Sequence, residues 1–277
     1  MDPIITTALT TFASGFAGAA LGKATGPGQV LDDLMVLAGF DKLHVAAEKR
    51  RVENELYIQQ YKESIAQKVV AIPEENLQDP SLAVVGPAIE ASKFYIEEED
   101  VREMFANLIA ASMDDRLTNE VHSSYVEIIK QLSPLDAQNL IYLNKGQNLI
   151  AGVKLKFKDG GSIIPYTNLY LDNPNEQRHS KIAPSLDNLK RLGLIDITYS
   201  SWAFPDSRYD YFRESPEFKE YESFYQSVVA LKLAKEQGVN LPNDINKYPD
   251  VESIDIDKGL AEMTAFGKNF CKICLSE

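Results

Sequence analysis

The residues of this chain with the clearest capacity for chemistry are Cys271 and Cys274, together with three histidines, His44, His122 and His179. Cys271-x-x-Cys274 is half of a tetrahedral zinc site, and no second ligand pair stands at matching spacing. On a helix, two sulfurs at this spacing read as packed thiols. Two cysteines do not build a disulfide framework, so a reducing cytoplasm is the expected compartment. His122 falls between a turn and a helix, where capping or packing is expected ahead of metal binding or proton transfer. A glycine-rich phosphate cradle, a Gly-x-Ser-x-Gly nucleophile turn and a His-Glu-x-x-His zinc helix are all missing from the sequence. No catalytic residue, metal or cofactor is assigned, and the chain reads as a non-enzyme. A nuclease or hydrolase site built from distant residues leaves no local signature and stands as the alternative.

Charge narrows the partners. Of 277 residues, 28 are Lys or Arg and 41 are Asp or Glu, a formal charge of −13, so no global attraction draws the chain to nucleic acid or to an anionic membrane. The charge is uneven. Residues 61–132 hold 6 basic and 14 acidic side chains, a net of −8, whereas residues 133–200 hold 8 basic and 6 acidic, a net of +2. A weak phosphate-binding patch is therefore expected only in the middle of the chain. Met1-Asp2-Pro3 lacks the positive start of a secretory signal.

The elements that position these groups begin with an uncharged stretch of 20 residues, Pro3 to Gly22. A helix of that length spans ~30 Å, the thickness of a bilayer core. The stretch is only mildly hydrophobic, diluted by Thr6, Thr7, Thr10, Thr11 and Ser14. At roughly 100° per residue, Ile5, Leu9, Phe12 and Phe16 share one face. Small residues recur at every fourth position through Thr6, Thr10, Ser14, Gly18, Gly22 and Gly26, the last three forming a glycine zipper. Glycine in a helix interior costs ~1 kcal/mol relative to Ala. Close approach of two helix backbones in lipid is a physical reason to keep such a run. The pattern predicts a conditional membrane helix that self-associates through Ser14, Gly18, Gly22 and Gly26 and turns Ile5, Leu9, Phe12 and Phe16 to lipid. A tightly packed core hairpin and a flexible glycine-rich terminus are the plainer alternatives.

Gly26-Pro27-Gly28 breaks that helix. Residues 29–40 then read as a short amphipathic helix, and Lys42, Lys49, Arg50 and Arg51 follow, placing the rest of the chain on the cytoplasmic side of any span. Residues 41–71 run as a helix without Gly or Pro and end at Ile72-Pro73. Residues 81–95 read as a helix interrupted at Gly86-Pro87. Residues 98–113 form the strongest amphipathic pattern, with Val101, Met104, Phe105, Leu108 and Ile109 on one face and acids in the first turn. A helix over 123–131 follows, and Ser133-Pro134 caps the start of the next.

Four strings in this region and at the chain's end carry a family resemblance: IPEENLQDPSLAVVGPAIEA, VREMFANLIAASMD, VHSSYVEIIKQLSPLDA and AFGKNFCKICL. Together they resemble the abortive-infection alpha family of bacterial proteins, over roughly residues 40–277 and most densely over 72–137. The resemblance implies phage defence by abortive infection. It brings no catalytic residue with it. Ser123 stands where the family often has Pro, a change to a helix cap and not to chemistry.

Residues 151–171 alternate as two strands around a Gly160-Gly161 turn. A helix over 180–193, ended by Gly193, leads into a strand, LIDITYSS. That order is how a winged-helix domain passes from its recognition helix into its wing. Lys181, Lys190, Arg191, Arg178 and His179 give this helix a weak positive face, so protein binding is expected ahead of DNA binding. Residues 202–250 read as an insertion in which aromatic and charged residues mix. Trp202, Phe204, Tyr209, Tyr211 and Arg213 are its candidate partner-binding residues. An ordinary capping subdomain is the plain alternative. Residues 260–275 are expected to close the domain.

These readings predict a mainly α fold. A glycine-zipper segment (1–40) precedes a helical domain (41–132) and a winged-helix-like α+β sensor domain (133–277) with the insertion at 202–250. The expected role is that of an effector which senses a phage protein, forms a homo-oligomer through its N-terminal helix and permeabilises the inner membrane. The protein would be cytoplasmic at rest and in the inner membrane when active. The runner-up is a DNA- or protein-binding regulator that blocks phage development away from the membrane. A nucleic-acid partner is not the expected one.

Overall fold

The computed structural model describes residues 48–239 and 250–275. The zipper segment, the 29–40 helix and His44 lie outside the described residues. The described residues divide into two compact units: 48–141 with 265–275, and 142–239 with 250–264.

The first unit is helical. Helix α1 (Glu48–Val70) buries Tyr61, Ile65 and Val69, a stripe at four-residue spacing. Helix α2 (Leu82–Ser92) continues through Pro87, so the expected interruption there is absent. One lost N–H bond is offset by the burial of Val84, Val85, Ala88 and Ile89. Helix α3 (Glu99–Ala111) is the hub, in contact with α1, α2, α4 (Ser124–Ile129) and α8 (Ala265–Cys274). Its predicted face, Val101, Met104, Phe105, Leu108 and Ile109, is buried. Ser133 precedes helix α5 (Pro134–Leu143) as predicted. Its hydroxyl oxygen accepts from the Asp136 N–H at 3.2 Å, while Asp136 Oδ2 accepts from the Ser133 N–H at 2.8 Å. This reciprocal pair is a capping box with Asp in the third helical position.

Helix α8 closes this unit across a long stretch of sequence. Phe270, Cys271, Ile273 and Cys274 are buried. The Asn107 side-chain amide donates to the Cys274 carbonyl at 2.9 Å, and that of Asn269 donates to the Glu120 carbonyl at 2.7 Å. The Phe270 ring meets the edge of Tyr125 at 5.2 Å between centroids.

The second unit is a four-stranded antiparallel sheet in the order β2-β1-β4-β3, with helices outside it. Strand β1 (Asn148–Phe157) turns back on β2 (Ser162–Leu169) through Asp159-Gly160-Gly161. Gly160 has φ +90° there, and Asp159 Oδ1 accepts from the Gly161 N–H at 2.9 Å. Pro165 sits in β2, the edge strand, where a missing donor is tolerated. Helix α6 (His179–Arg191) passes through Gly193, φ +74°, into β3 (Ile195–Thr198). This is the predicted helix-to-strand order.

Strand β4 (Val251–Met263) pairs with β1 on one side and β3 on the other. At Gly259, an added Cβ would stand 2.6 Å from the Thr198 carbonyl oxygen, so only glycine fits there. The connection from β3 to β4 carries a 3₁₀ helix (Asp206–Glu214) and helix α7 (Pro216–Glu236). Tyr209, Phe212 and Phe218 of this connection pack with Leu149, Ala151, Val153, Leu155, Ile256 and Leu260 in one apolar cluster. Burial of such aromatic area fastens the connection to the sheet.

Among the described residues, no helix is long and apolar enough to cross a membrane.

Candidate functional site

His122 and His179 both have local partners. Ser124 donates its N–H to His122 Nδ1 at 3.1 Å, and its hydroxyl oxygen lies 2.7 Å from the same nitrogen, so the imidazole caps the start of α4. His179 Nε2 lies 2.7 Å from the Thr167 carbonyl oxygen and donates to it. Cys271 and Cys274 are buried free thiols. Burial pushes the Cys271 thiol up to about 12 and holds Cys274 well above its ordinary value, so neither forms a thiolate near neutral pH. Among the described residues, no group of three His, Cys, Asp or Glu side chains is arranged to hold a metal ion.

The cations of α6 and its approach are engaged by neighbouring acceptors. Arg178 donates through Nε to Glu176 at 2.8 Å and pairs with it a second time through Nη2. Lys181 lies 3.6 Å from the same carboxylate, and Lys190 lies 3.7 Å from Asp196. Arg191 donates to Asn188 Oδ1 at 2.7 Å. Each such exposed pair contributes little stability. Their consequence here is for recognition, because a paired cation offers a phosphate less net attraction.

The insertion presents a different surface. Trp202 is 52% exposed and Phe204 is 87% exposed, with Tyr211 and Arg213 also at the surface. Trp202 Nε1 donates to Asp206 at 2.9 Å, and the Lys258 ammonium stands 5.9 Å from the centre of its ring. Arg213 lies over the Phe218 ring at 5.3 Å. Tyr209 does not belong to this surface. It is 1% exposed, its hydroxyl accepts from the Ala203 N–H at 3.1 Å, and it donates to the Gly259 carbonyl at 2.9 Å. The reason is the three-residue turn of the 3₁₀ helix, which puts Tyr209 and Phe212 on one face and Tyr211 off it.

Beside Tyr211 a cleft of about 590 Å³ opens between the 171–178 loop and the start of α7. Asp172, Arg178, Tyr211, Glu214 and Glu217 are among its walls, with Leu171 and Pro216 supplying apolar surface. Ser215 caps α7 by accepting from the Phe218 N–H at 3.2 Å, and this sets Glu217 in the helix's first turn. The helix dipole favours a carboxylate at that position. Asp172 is exposed as a residue, yet its carboxyl lies in the cleft, and that burial pushes its pKa above the ordinary carboxylate range. Burial and the neighbouring Asp172 charge raise the Tyr211 hydroxyl well above its usual value. It stays protonated and donates to Asp172 across 3.5 Å. Nothing local in the sequence marks this cleft, since its walls come from segments about 40 residues apart.

Fold and surface together define a mainly helical protein with an antiparallel sheet unit that carries an exposed aromatic edge and a polar cleft. The sequence profile of the family described as abortive infection alpha matches residues 53–274. The chain belongs to the abortive infection alpha family, as the four motif strings predict. Membership gives it a place in antiviral defence by abortive infection. No curated protein and no solved structure matches the chain.

Proposed function

We propose that this protein aborts phage infection as a sensor and effector, without catalysis of its own. Family membership over residues 53–274 carries the reading. The sheet unit recognises a phage protein through the insertion that bears Trp202, Phe204, Tyr211 and Arg213. The N-terminal segment, residues 1–40, is then released and forms a homo-oligomer in the inner membrane. Ser14, Gly18, Gly22 and Gly26 pack helix against helix there, while Ile5, Leu9, Phe12 and Phe16 face lipid. At rest the protein is cytoplasmic. Two observations support a protein partner over a nucleic acid: the cations of α6 are engaged by neighbouring acceptors, and large aromatics stand exposed on the insertion. A small, mildly hydrophobic segment suits conditional insertion, because a strongly apolar one would enter the membrane constitutively.

Infection at two multiplicities tests the role. At low multiplicity a culture carrying the protein is expected to survive, because the first infected cells release few progeny. At high multiplicity the same culture is expected to die as completely as an unprotected one. Survival of individual cells at high multiplicity would overturn abortive action and favour a regulator that blocks phage development directly.

A further inference from the structure

We infer that the cleft beside Tyr211 binds an ammonium or guanidinium group, presented as a Lys or Arg side chain by the protein this unit recognises. The identity of the presenting partner rests on the recognition role proposed above; the chemistry of the cleft does not.

The charges on the cleft wall do not cancel. The Arg178 guanidinium is taken by Glu176, and the Glu214 carboxylate is taken by Lys219. Asp172 and Glu217 remain, and neither has a cationic partner among the described residues. Glu217 Oε1 accepts from the His179 N–H at a long 3.4 Å, and its Oε2 is buried without any hydrogen-bond partner. Among the described residues Asp172 has only the Tyr211 hydroxyl, at 3.5 Å. A carboxylate in such surroundings is short of donors. A guanidinium brings five N–H donors and an ammonium three, together with the opposite charge.

The remaining walls suit the same ligand. The Tyr211 ring is stacked on Phe212 at 4.3 Å, which holds it rigid as one side of the cleft, and an aromatic face attracts a desolvated cation. Leu171 and Pro216 offer apolar surface for the methylene stem of a long basic side chain. The volume of about 590 Å³ falls within the ~300–1,000 Å³ of pockets that hold small ligands. An anion is disfavoured because the one cation on the wall is already paired. A hard divalent ion needs about six oxygen ligands, and no group of three His, Cys, Asp or Glu side chains is gathered among the described residues.

Calorimetric titration of the purified full-length protein tests the site with acetyl-arginine amide as the probe and acetyl-alanine amide as the control. The arginine probe is expected to bind saturably and the alanine probe not at all. The double variant Asp172→Asn with Glu217→Gln keeps the shape of both side chains, and its affinity is expected to fall by about tenfold or more. Tyr211→Leu leaves both carboxylates and is expected to weaken binding by a smaller factor. Unliganded melting curves matching the unsubstituted protein show that the variants are folded. Equal response to the two probes, or undiminished binding by the folded double variant, would overturn the site. Spermidine is the second arm. Binding of spermidine more tightly than of a heptapeptide with a central Arg would assign the cleft to a free amine and overturn the protein partner. Loss of arginine binding together with loss of phage protection in the double variant supports the partner. Full protection by that variant would detach the cleft from infection while leaving the measured cation site intact, so the two readings fail separately.

Discussion

Replacing Gly18 or Gly22 with Leu is expected to abolish phage protection while the purified protein melts at its unsubstituted temperature. Where two helix backbones touch at a glycine, a Leu side chain forces them apart and removes the packing that holds helices together in lipid. In water the same substitution is mild or favourable, since Leu is a better helix former than Gly by ~0.8 kcal/mol. A tightly packed core helix would behave differently. Leu would overpack it at a cost of ~1–3 kcal/mol, and protection and melting temperature would fall together. A flexible terminus would show neither change. Melting temperature, leakage of dye from liposomes and phage protection, measured on both variants, separate the three outcomes. Retained protection in both variants removes the zipper from the mechanism.

Phe270→Ala is expected to be the opposite kind of lesion, costing ~3–5 kcal/mol of stability and protection with it. Phe270 is 0% exposed in α8 and lies edge-on to Tyr125. Helix α8 packs on α3 and supplies the far end of the first unit's core. Truncating the ring deletes a large buried group and leaves a cavity in the core that α8 closes. Phe266, one turn earlier, is the control. It is 37% exposed and touches Tyr125 from outside, at 5.5 Å between ring centres. Phe266→Ala is expected to cost less than ~1.5 kcal/mol, because over a third of that residue already faces water. Denaturant titration of the two variants measures both. Equal costs would mean that α8 is not anchored through Phe270.

Much of the helical half was legible because local rules and burial agree there. The spacing of Val101, Met104, Phe105, Leu108 and Ile109 marks a helix face whatever it packs against, and the structure buries that face. Ser133-Pro134-x-Asp136 encodes its own cap. Gly160-Gly161 encodes its turn, and the positive φ at Gly160 is the reason glycine stands there. The helix running through Pro87 was not legible, because only the burial around it offsets the missing donor. Nor was β4. Its alternation fades after Asp257 into Lys258-Gly259, and glycine there serves a contact with the Thr198 carbonyl, far away in sequence. The packing of α8 on α3 joins residues separated by 167 positions, as between Asn107 and Cys274, and no local pattern reports it.

The candidate surface divides in the same way. Mixed aromatic and charged composition singled out Trp202, Phe204, Tyr209, Tyr211 and Arg213. Composition does not say which rings point inward. The 3₁₀ phase decides that, and it sends Tyr209 into the sheet cluster. The cleft needs Asp172 of the 171–178 loop brought beside Glu217 of α7, which only the folded sheet unit provides.

The central claim, that infection triggers a membrane effector, is tested most directly by following membrane potential with a voltage-sensitive dye in infected cells. The account predicts depolarisation that begins after phage entry and precedes lysis. That depolarisation should require this protein and be lost in the Gly18→Leu and Gly22→Leu variants. An unchanged potential in cells that are nonetheless protected, with phage transcripts reduced, would contradict it.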